Sequence, residues 1–135
     1  MPVKRFLLVY AITLAVFFGI DIVWLGIVAR DFYPRHLGHL LAAQVQWTPA
    51  ILFYLLFIAG IVFFAVKPAI EAGRAGRALV NGAFLGLVAY ATYDLTNQAT
   101  MRDWPLIVTV VDLIWGTVLT GTVAVVSYLV SRRVG

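Results

Sequence analysis

Four long apolar stretches restrict how this chain can fold more than any other feature does. They cover residues 6–29, 48–66, 78–101 and 105–130, and each approaches or exceeds the ~20 residues that a helix needs to cross ~30 Å of hydrocarbon. Within a bilayer the backbone must satisfy its own hydrogen bonds, so apolar runs of this length can only be helices. The pattern predicts an all-α polytopic membrane protein, a single four-transmembrane-helix bundle covering residues 1–135.

Composition and charge exclude several other classes of protein. Only 12% of the residues are charged and 63% are hydrophobic, which leaves too few polar groups to cover a water-soluble domain. The net charge of +4 comes from basic residues at the ends of the apolar runs, so we expect no nucleic-acid partner, which would need a basic patch. The absence of cysteine excludes disulfides, thiol nucleophiles and thiolate metal sites.

The distribution of lysine and arginine indicates an orientation. Seven of these residues lie at the helix ends that carry both termini, and three lie at the opposite ends. By the positive-inside rule we expect both termini in the cytoplasm (N-in/C-in) of a bacterial inner membrane. The seven are Lys4, Arg5, Lys67, Arg74, Arg77, Arg132 and Arg133, and the three are Arg30, Arg35 and Arg102.

Two connections are also predicted from local sequence. We expect the second helix to stop at residue 66, with Pro68 just beyond its end. The longer connection, residues 30–46, has room for an interfacial turn of helix. Its apolar side would carry Tyr33, Leu37, Leu40 and Leu41.

Three aspartates lie inside the apolar stretches, where a charged group costs from ~3 to more than ~10 kcal/mol. Asp21, Asp94 and Asp112 each stand eight or nine residues from a charged residue at the outer end of their helix. At 1.5 Å per residue, all three lie ~12–14 Å below the outer boundary of the membrane. The sequence therefore predicts a single acidic layer at this depth.

Helical spacing adds further side chains to this layer. Tyr54 falls at the same height on the second helix, and residues three or four positions from an aspartate share its helix face. Small residues at i and i+4, Gly82 with Gly86 and Gly116 with Thr120, predict close helix contact beside the carboxylates. The predicted ligand- or proton-binding residues are Asp21, Asp94, Asp112, Tyr54, Asn97, Tyr90, Trp24 and Trp115.

The apolar stretches contain no lysine or arginine that could neutralise these carboxylates. Because buried negative charges repel one another, the layer needs protons, hydrogen bonds or a bound cation. Two structural explanations compete with a functional pocket. Neutral aspartates can hydrogen-bond one helix to another, or Arg30, Arg35 or Arg102 can reach down from the outer surface to pair with them.

Two internal correspondences raise the hypothesis of a duplication. Asp21-Ile-Val-Trp24 and Asp112-Leu-Ile-Trp115 share a pattern on helices that run in opposite directions. The second correspondence relates the first hairpin to the second through an aspartate followed by a tryptophan and a proline. Some transporters contain repeats of this kind, but both matches are short enough to arise by chance.

His36 and His39, with Asp31 nearby, are weak candidates for a metal site on the outer side. A metal site of this kind needs three or four ligands, and none of the more specific zinc-binding spacings is present. Polar filling near the lipid headgroups is the commoner role of such a pair. No cofactor is indicated.

Nearly the whole chain resembles a family of small bacterial membrane proteins known only as a domain of unknown function. The likeness rests on the four apolar stretches together with Asp21-Ile-Val-Trp24, Tyr93-Asp-Leu-Thr-Asn97 and Val111-Asp-Leu-Ile-Trp115. The resemblance implies the four-helix fold and no particular activity.

Three functions are compatible with these residues. The first is a proton- or cation-linked transporter or ligand-binding protein whose acidic pocket opens to the outer side, with a homodimer expected because four helices barely enclose a pathway. The second is an accessory or assembly subunit of a larger membrane complex. The third, which we favour less, is an outer-leaflet lipid-active enzyme with an aspartate as base and His36 or His39 as its partner.

Overall fold

The chain folds into four long helices and one short one. The computed structural model describes residues 1–134, is 84% helical and contains no strand among those residues. Four helices are long and apolar enough to span a membrane: α1 (Val3–Val28), α3 (Trp47–Ala72), α4 (Ala75–Thr100) and α5 (Leu106–Val134). The short helix α2 (Phe32–Leu37) lies in the connection between α1 and α3. The predicted all-α fold with four candidate transmembrane helices is confirmed.

Helix α3 continues past the point where the sequence predicts its end. It contains a π-helical turn at Val62–Val66 and runs on as Lys67–Ala72, so the prediction that it stops before Pro68 is wrong. Pro68 lies at the start of this last segment, where its fixed φ is compatible with a helix. The helix ends at Gly73, whose positive φ of 65° glycine adopts without steric strain.

A side chain from α4 replaces the hydrogen bond that Pro68 cannot make. In a regular helix the N–H of residue 68 would donate to the carbonyl of Phe64, and proline has no N–H. Asn81 Nδ2 donates to Phe64 O instead, at 3.0 Å. This bond gives the Phe64 carbonyl a partner and joins α3 to α4.

Helices α4 and α5 pack closely because glycines lie at their interface. A Cβ on Gly82 would lie 2.7 Å from Ala124 Cβ, and a Cβ on Gly86 would collide with the carbonyl of Gly116. A Cβ on Gly116 would in turn collide with the ring of Tyr90. The close contact predicted from small residues is present, and the missing side chain at Gly116 makes room for the Tyr90 ring.

Both termini lie at the same end of the bundle, as four antiparallel spans require. Arg5 Nη2, near the start of α1, donates to the carbonyl of Ser131 near the end of α5, at 3.3 Å. Fully buried apolar side chains from α1, α3 and α5 fill this half of the bundle. They include Val9, Ile58, Ile61, Val62, Val66, Leu119 and Val123.

Helix α2 folds back over the opposite end of the bundle. Leu37 of α2 packs against Trp104 and Val108, which lie just before and inside α5. The turn of helix predicted in this connection is therefore present, but it ends at Leu37. Leu40 and Leu41 lie beyond it and are exposed.

Helix α3 contacts different neighbours along its length. The segment Trp47–Ile61 packs mainly on α1, whereas Val62–Val66 packs on α4 and α5. Helices α3 and α4 therefore pack directly at the end that carries the termini and diverge toward α2. The cavity described below occupies the space between them.

Candidate functional site

An acidic cavity lies in the half of the bundle that faces α2. Its volume is about 410 Å³, within the range of ~300–1,000 Å³ that is typical of small-molecule sites. All five helices contribute to its wall. The lining residues are Asp21, Trp24, Leu25, Tyr33, Phe53, Tyr54, Ala89, Tyr90, Tyr93, Asp112 and Trp115.

Most of the side chains predicted from the sequence lie in this wall. The structure brings together Asp21, Trp24, Tyr54, Tyr90, Asp112 and Trp115. Asp94 and Asn97 do not line the cavity. Asp94 is buried directly behind it, next to Asp112, and Asn97 lies one turn further along α4, beside Tyr93.

Asp112 accepts a hydrogen bond from Tyr33, which in turn accepts one from a tryptophan of another helix. Trp24 Nε1 donates to Tyr33 Oη at 3.2 Å, and Tyr33 Oη donates to Asp112 Oδ1 at 2.6 Å. Burial, and then the bond to Asp112, raise the pKa of the Tyr33 hydroxyl above its ordinary value. Tyr33 is therefore a neutral hydrogen-bond donor throughout the physiological pH range.

Asp21 lies across the cavity beside the indole of Trp115 and near the hydroxyls of Tyr54 and Tyr90. Only 6% of its surface is exposed. The Trp115 Nε1 atom is buried and makes no hydrogen bond within residues 1–134. Asp21 therefore lies near the Trp115 N–H group without accepting a hydrogen bond from it. Asp112, in contrast, accepts a hydrogen bond from Tyr33.

The two tryptophans of the Asp-x-x-Trp segments stack on each other. The ring centroids of Trp24 and Trp115 are 4.3 Å apart, and the ring planes differ by 12°. Because α1 and α5 run in opposite directions, each aspartate lies near the tryptophan of the other segment. Asp21 lies beside Trp115, and Asp112 is connected to Trp24 through Tyr33.

Asp94 is completely buried, and neither of its carboxyl oxygens has a hydrogen-bond partner within the described part of the chain. Its carboxyl group adjoins that of Asp112. Two ionised carboxylates in contact would repel strongly in surroundings of low dielectric constant. The arrangement is therefore suited to a proton or a cation shared between the two groups.

The family of the chain is established by comparison with known proteins. Residues 6–129 match the family described as "Predicted membrane protein (DUF2177)". The chain belongs to this family. The description carries no activity, and it agrees with the membrane protein of unknown function that the sequence resembles. No curated protein and no solved structure matches the chain.

The histidines of this DUF2177 protein lie outside the cavity wall. His36 Nδ1 is 2.9 Å from the carbonyl of Phe32, and His39 Nε2 is 3.2 Å from the carbonyl of Asp103. Nowhere in residues 1–134 do three or more His, Asp or Glu side chains gather closely enough to hold a metal ion. This applies to His36 and His39 with Asp31, and equally to Asp21, Asp94 and Asp112.

Tyr33 is the main residue that the sequence analysis did not assign to the site. Its position in the connection suggested the apolar side of an interfacial turn, but the structure places its hydroxyl against Asp112. A buried tyrosine usually pairs its hydroxyl, and that requirement was the available signal. Phe53, Tyr93, Leu25 and Ala89 also line the cavity and were not singled out by spacing.

Proposed function

We propose that this membrane protein binds a small cationic ligand of the alkylammonium class in the acidic cavity and exchanges it for protons. The observation that carries the proposal is the pair Asp21 and Asp112. Both side chains are 6% exposed, both reach the same cavity, and no lysine or arginine lies among its lining residues. An unneutralised acidic wall of this kind favours a cation.

The aromatic side chains of the cavity support a cation of organic character. Trp24, Trp115, Tyr54 and Tyr90 stand around the two carboxyl groups. Aromatic faces attract ammonium groups, most strongly where water is excluded. In residues 1–134 the structure offers no cluster of ligands for a bare metal ion, so an ammonium group, which donates hydrogen bonds to carboxylates, fits the cavity better.

The neighbouring carboxyl groups provide a source of protons for the exchange. A proton held between Asp94 and Asp112 would leave when a cation approaches Asp112, because the cation then balances the negative charge. Tyr33 keeps its own proton and orients Asp112. Ligand affinity should therefore increase with pH, since protons and ligand compete for the same carboxylates.

Binding is favoured over transport by the packing below the cavity. Ile58, Ile61, Leu119 and Val123 are fully buried in the half that carries the termini. A ligand could pass through a single bundle only if these side chains separated. We therefore place the ligand in a site that is closed toward the termini.

We propose that the membrane is a bacterial inner membrane, that both termini face the cytoplasm and that the cavity lies nearer the opposite surface. Seven basic residues at the end with the termini, against three at the other end, support this orientation. The chain has no cysteine, so an introduced cysteine is the only thiol of this protein that a maleimide can label. In intact cells a membrane-impermeant maleimide should label Gln44→Cys and spare Val134→Cys. The reverse pattern would reject the orientation.

The function is tested by isothermal titration calorimetry of the protein in nanodiscs of phosphatidylglycerol, a lipid without an amine. Ethylammonium is the probe, and titrations in two buffers of different ionisation enthalpy reveal any proton release. We expect binding with proton release, and about a ten- to hundredfold loss of affinity in Asp21→Asn or Asp112→Asn, because a hydrogen bond to a charged group contributes ~1.5–3 kcal/mol.

The matched control is Asp31→Asn, which removes an exposed carboxylate outside the cavity wall and should leave the affinity unchanged. Circular dichroism confirms that each variant is folded. Equal affinity in the wild type and both cavity variants, or no binding to the folded wild type, would reject the proposed function.

A further inference from the structure

A second, apolar groove runs along the membrane-facing side of α3. Its volume is about 460 Å³, and its wall includes Phe53, Phe57, Gly60 and Phe64 of α3 together with Phe6 of α1. Phe53 also lines the acidic cavity, so the groove and the cavity adjoin at this side chain. It extends from there toward the end of the bundle that carries the termini.

The length of the groove matches the depth of one lipid leaflet. Eleven residues separate Phe53 from Phe64, which corresponds to about 16 Å along a helix. One leaflet contributes about half of the ~30 Å hydrocarbon thickness. A single acyl chain of a lipid in the leaflet on the side of the termini would therefore fill the groove.

The end of the groove near the termini carries a positive charge. The Lys67 Nζ atom lies 5.6 Å from the centroid of the Phe63 ring, and Phe63 belongs to the groove wall. An ammonium group at this height is suited to the phosphate of a lipid headgroup. Lys4 precedes Phe6 by two residues on α1 and adds a second basic residue near this end.

We propose that this groove is a binding site for one anionic phospholipid of the leaflet on the side of the termini. Its phosphate pairs with Lys67, and one acyl chain lies over Gly60 and ends at Phe53. The chain end then covers the side of the acidic cavity that Phe53 lines. This site is separate from the ammonium site and does not depend on it.

Gly60 in the groove and Gly19 outside it provide a test variant and its matched control. A Cβ added to Gly60 meets no atom within 4 Å, and the same is true of Gly19 on α1, which lines neither cavity. Gly60→Leu therefore starts a side chain into the groove from a Cβ position that no other atom approaches. Gly19→Leu is the matched control, with the same substitution in another transmembrane helix.

The test is native mass spectrometry of the detergent-solubilised protein with phosphatidylglycerol or phosphatidylcholine of identical chains. We expect one phosphatidylglycerol per protein and about a tenfold weaker complex in Gly60→Leu, with Gly19→Leu resembling the wild type. Lys67→Gln should abolish the preference for phosphatidylglycerol while some chain binding persists.

Three results would overturn the inference. The two leucine variants could bind phosphatidylglycerol equally well, the wild type could bind both lipids alike, or Gly60→Leu could dissociate a dimer without changing lipid binding, which would assign the groove to a second copy of the chain. Thermal unfolding of each variant in the same detergent confirms that the fold is retained.

Discussion

The two Asp-x-x-Trp segments share one sequence pattern but have different surroundings in the folded protein. Trp24 donates to Tyr33, which in turn donates to Asp112. The equivalent Trp115 Nε1 is buried and makes no hydrogen bond within residues 1–134, although Asp21 lies beside it. The difference arises because α2 places the Tyr33 hydroxyl between Trp24 and Asp112, whereas Trp115 makes no hydrogen bond within residues 1–134.

The lengths of the connections explain this difference. The connection between α1 and α3 is long enough to contain α2, which brings Tyr33 into the cavity. The connection between α4 and α5 has only the five residues 101–105 and contains no helix. A similar pattern on two helices thus leads to one hydrogen-bonded carboxylate and one that faces the cavity without such a bond.

Removing either stacked indole should have the largest effect on stability. Trp24→Ala or Trp115→Ala deletes a large aromatic contact at 4.3 Å and should lower the free energy of unfolding by about 2–4 kcal/mol. Denaturation in mixed micelles measures this value. Trp47→Ala is the control, because 66% of the Trp47 surface is exposed. Equal losses in all three variants would show that the stack contributes nothing specific.

Tyr33→Phe should remove the feature that distinguishes the two segments. Trp24 Nε1 then loses its acceptor and Asp112 loses a donor, which costs about 1–3 kcal/mol of unfolding free energy. Ethylammonium affinity should also change, because Asp112 is no longer oriented by a hydroxyl. Tyr54→Phe removes a hydroxyl from the same cavity but not from these hydrogen bonds, and its effect should be smaller. A larger effect at Tyr54 would contradict this arrangement.

Replacing each indole by a phenyl ring compares the two N–H groups directly. Trp24→Phe removes a hydrogen-bonded N–H and should cost about 1 kcal/mol more than Trp115→Phe, which removes a buried N–H without a partner. The same unfolding assay applies. Equal costs would mean that Trp115 Nε1 has a partner, such as Asp21, in the membrane.

The smallest expected effect is the contribution of Tyr33 titration to the free energy of unfolding at alkaline pH. The folded protein holds the Tyr33 proton more tightly than the unfolded chain, because burial and Asp112 raise its pKa above the ordinary value of ~10. This contribution is fully present below pH ~10 and is lost as the pH rises above it. Stability should fall more steeply above pH ~10 in the wild type than in Tyr33→Phe. Parallel curves would show that Tyr33 titrates normally.

The position of the acidic residues along their helices was predictable, whereas their contacts were not. A rise of 1.5 Å per residue is enough to place Asp21, Asp94 and Asp112 at one depth. It does not reveal that Asp94 lies behind Asp112 while Asp21 faces the cavity. That distinction depends on how each helix is rotated against its neighbours. Gly82 and Gly86 determine this for α4 by their close packing against α5.

The end of α3 also could not be predicted from the residues next to it in the sequence. Pro68 is a strong signal for a helix end, and the helix nevertheless continues to Ala72. The carbonyl of Phe64, left without the N–H of residue 68, is satisfied by Asn81, seventeen residues away in the sequence. A helix-ending rule based on neighbouring residues cannot include a donor that comes from another helix.

The amino-acid sequence by itself determined the four membrane-length helices and the common level of the three aspartates along them, because a bilayer requires a self-satisfied backbone and the helix has a constant rise. The tertiary structure alone decided that Tyr33 reaches Asp112, that Trp24 stacks on Trp115 and that a Phe-lined groove adjoins the cavity. These contacts join segments far apart in the chain, and they depend on helix rotation and on the path of a connection, which short-range spacing does not specify.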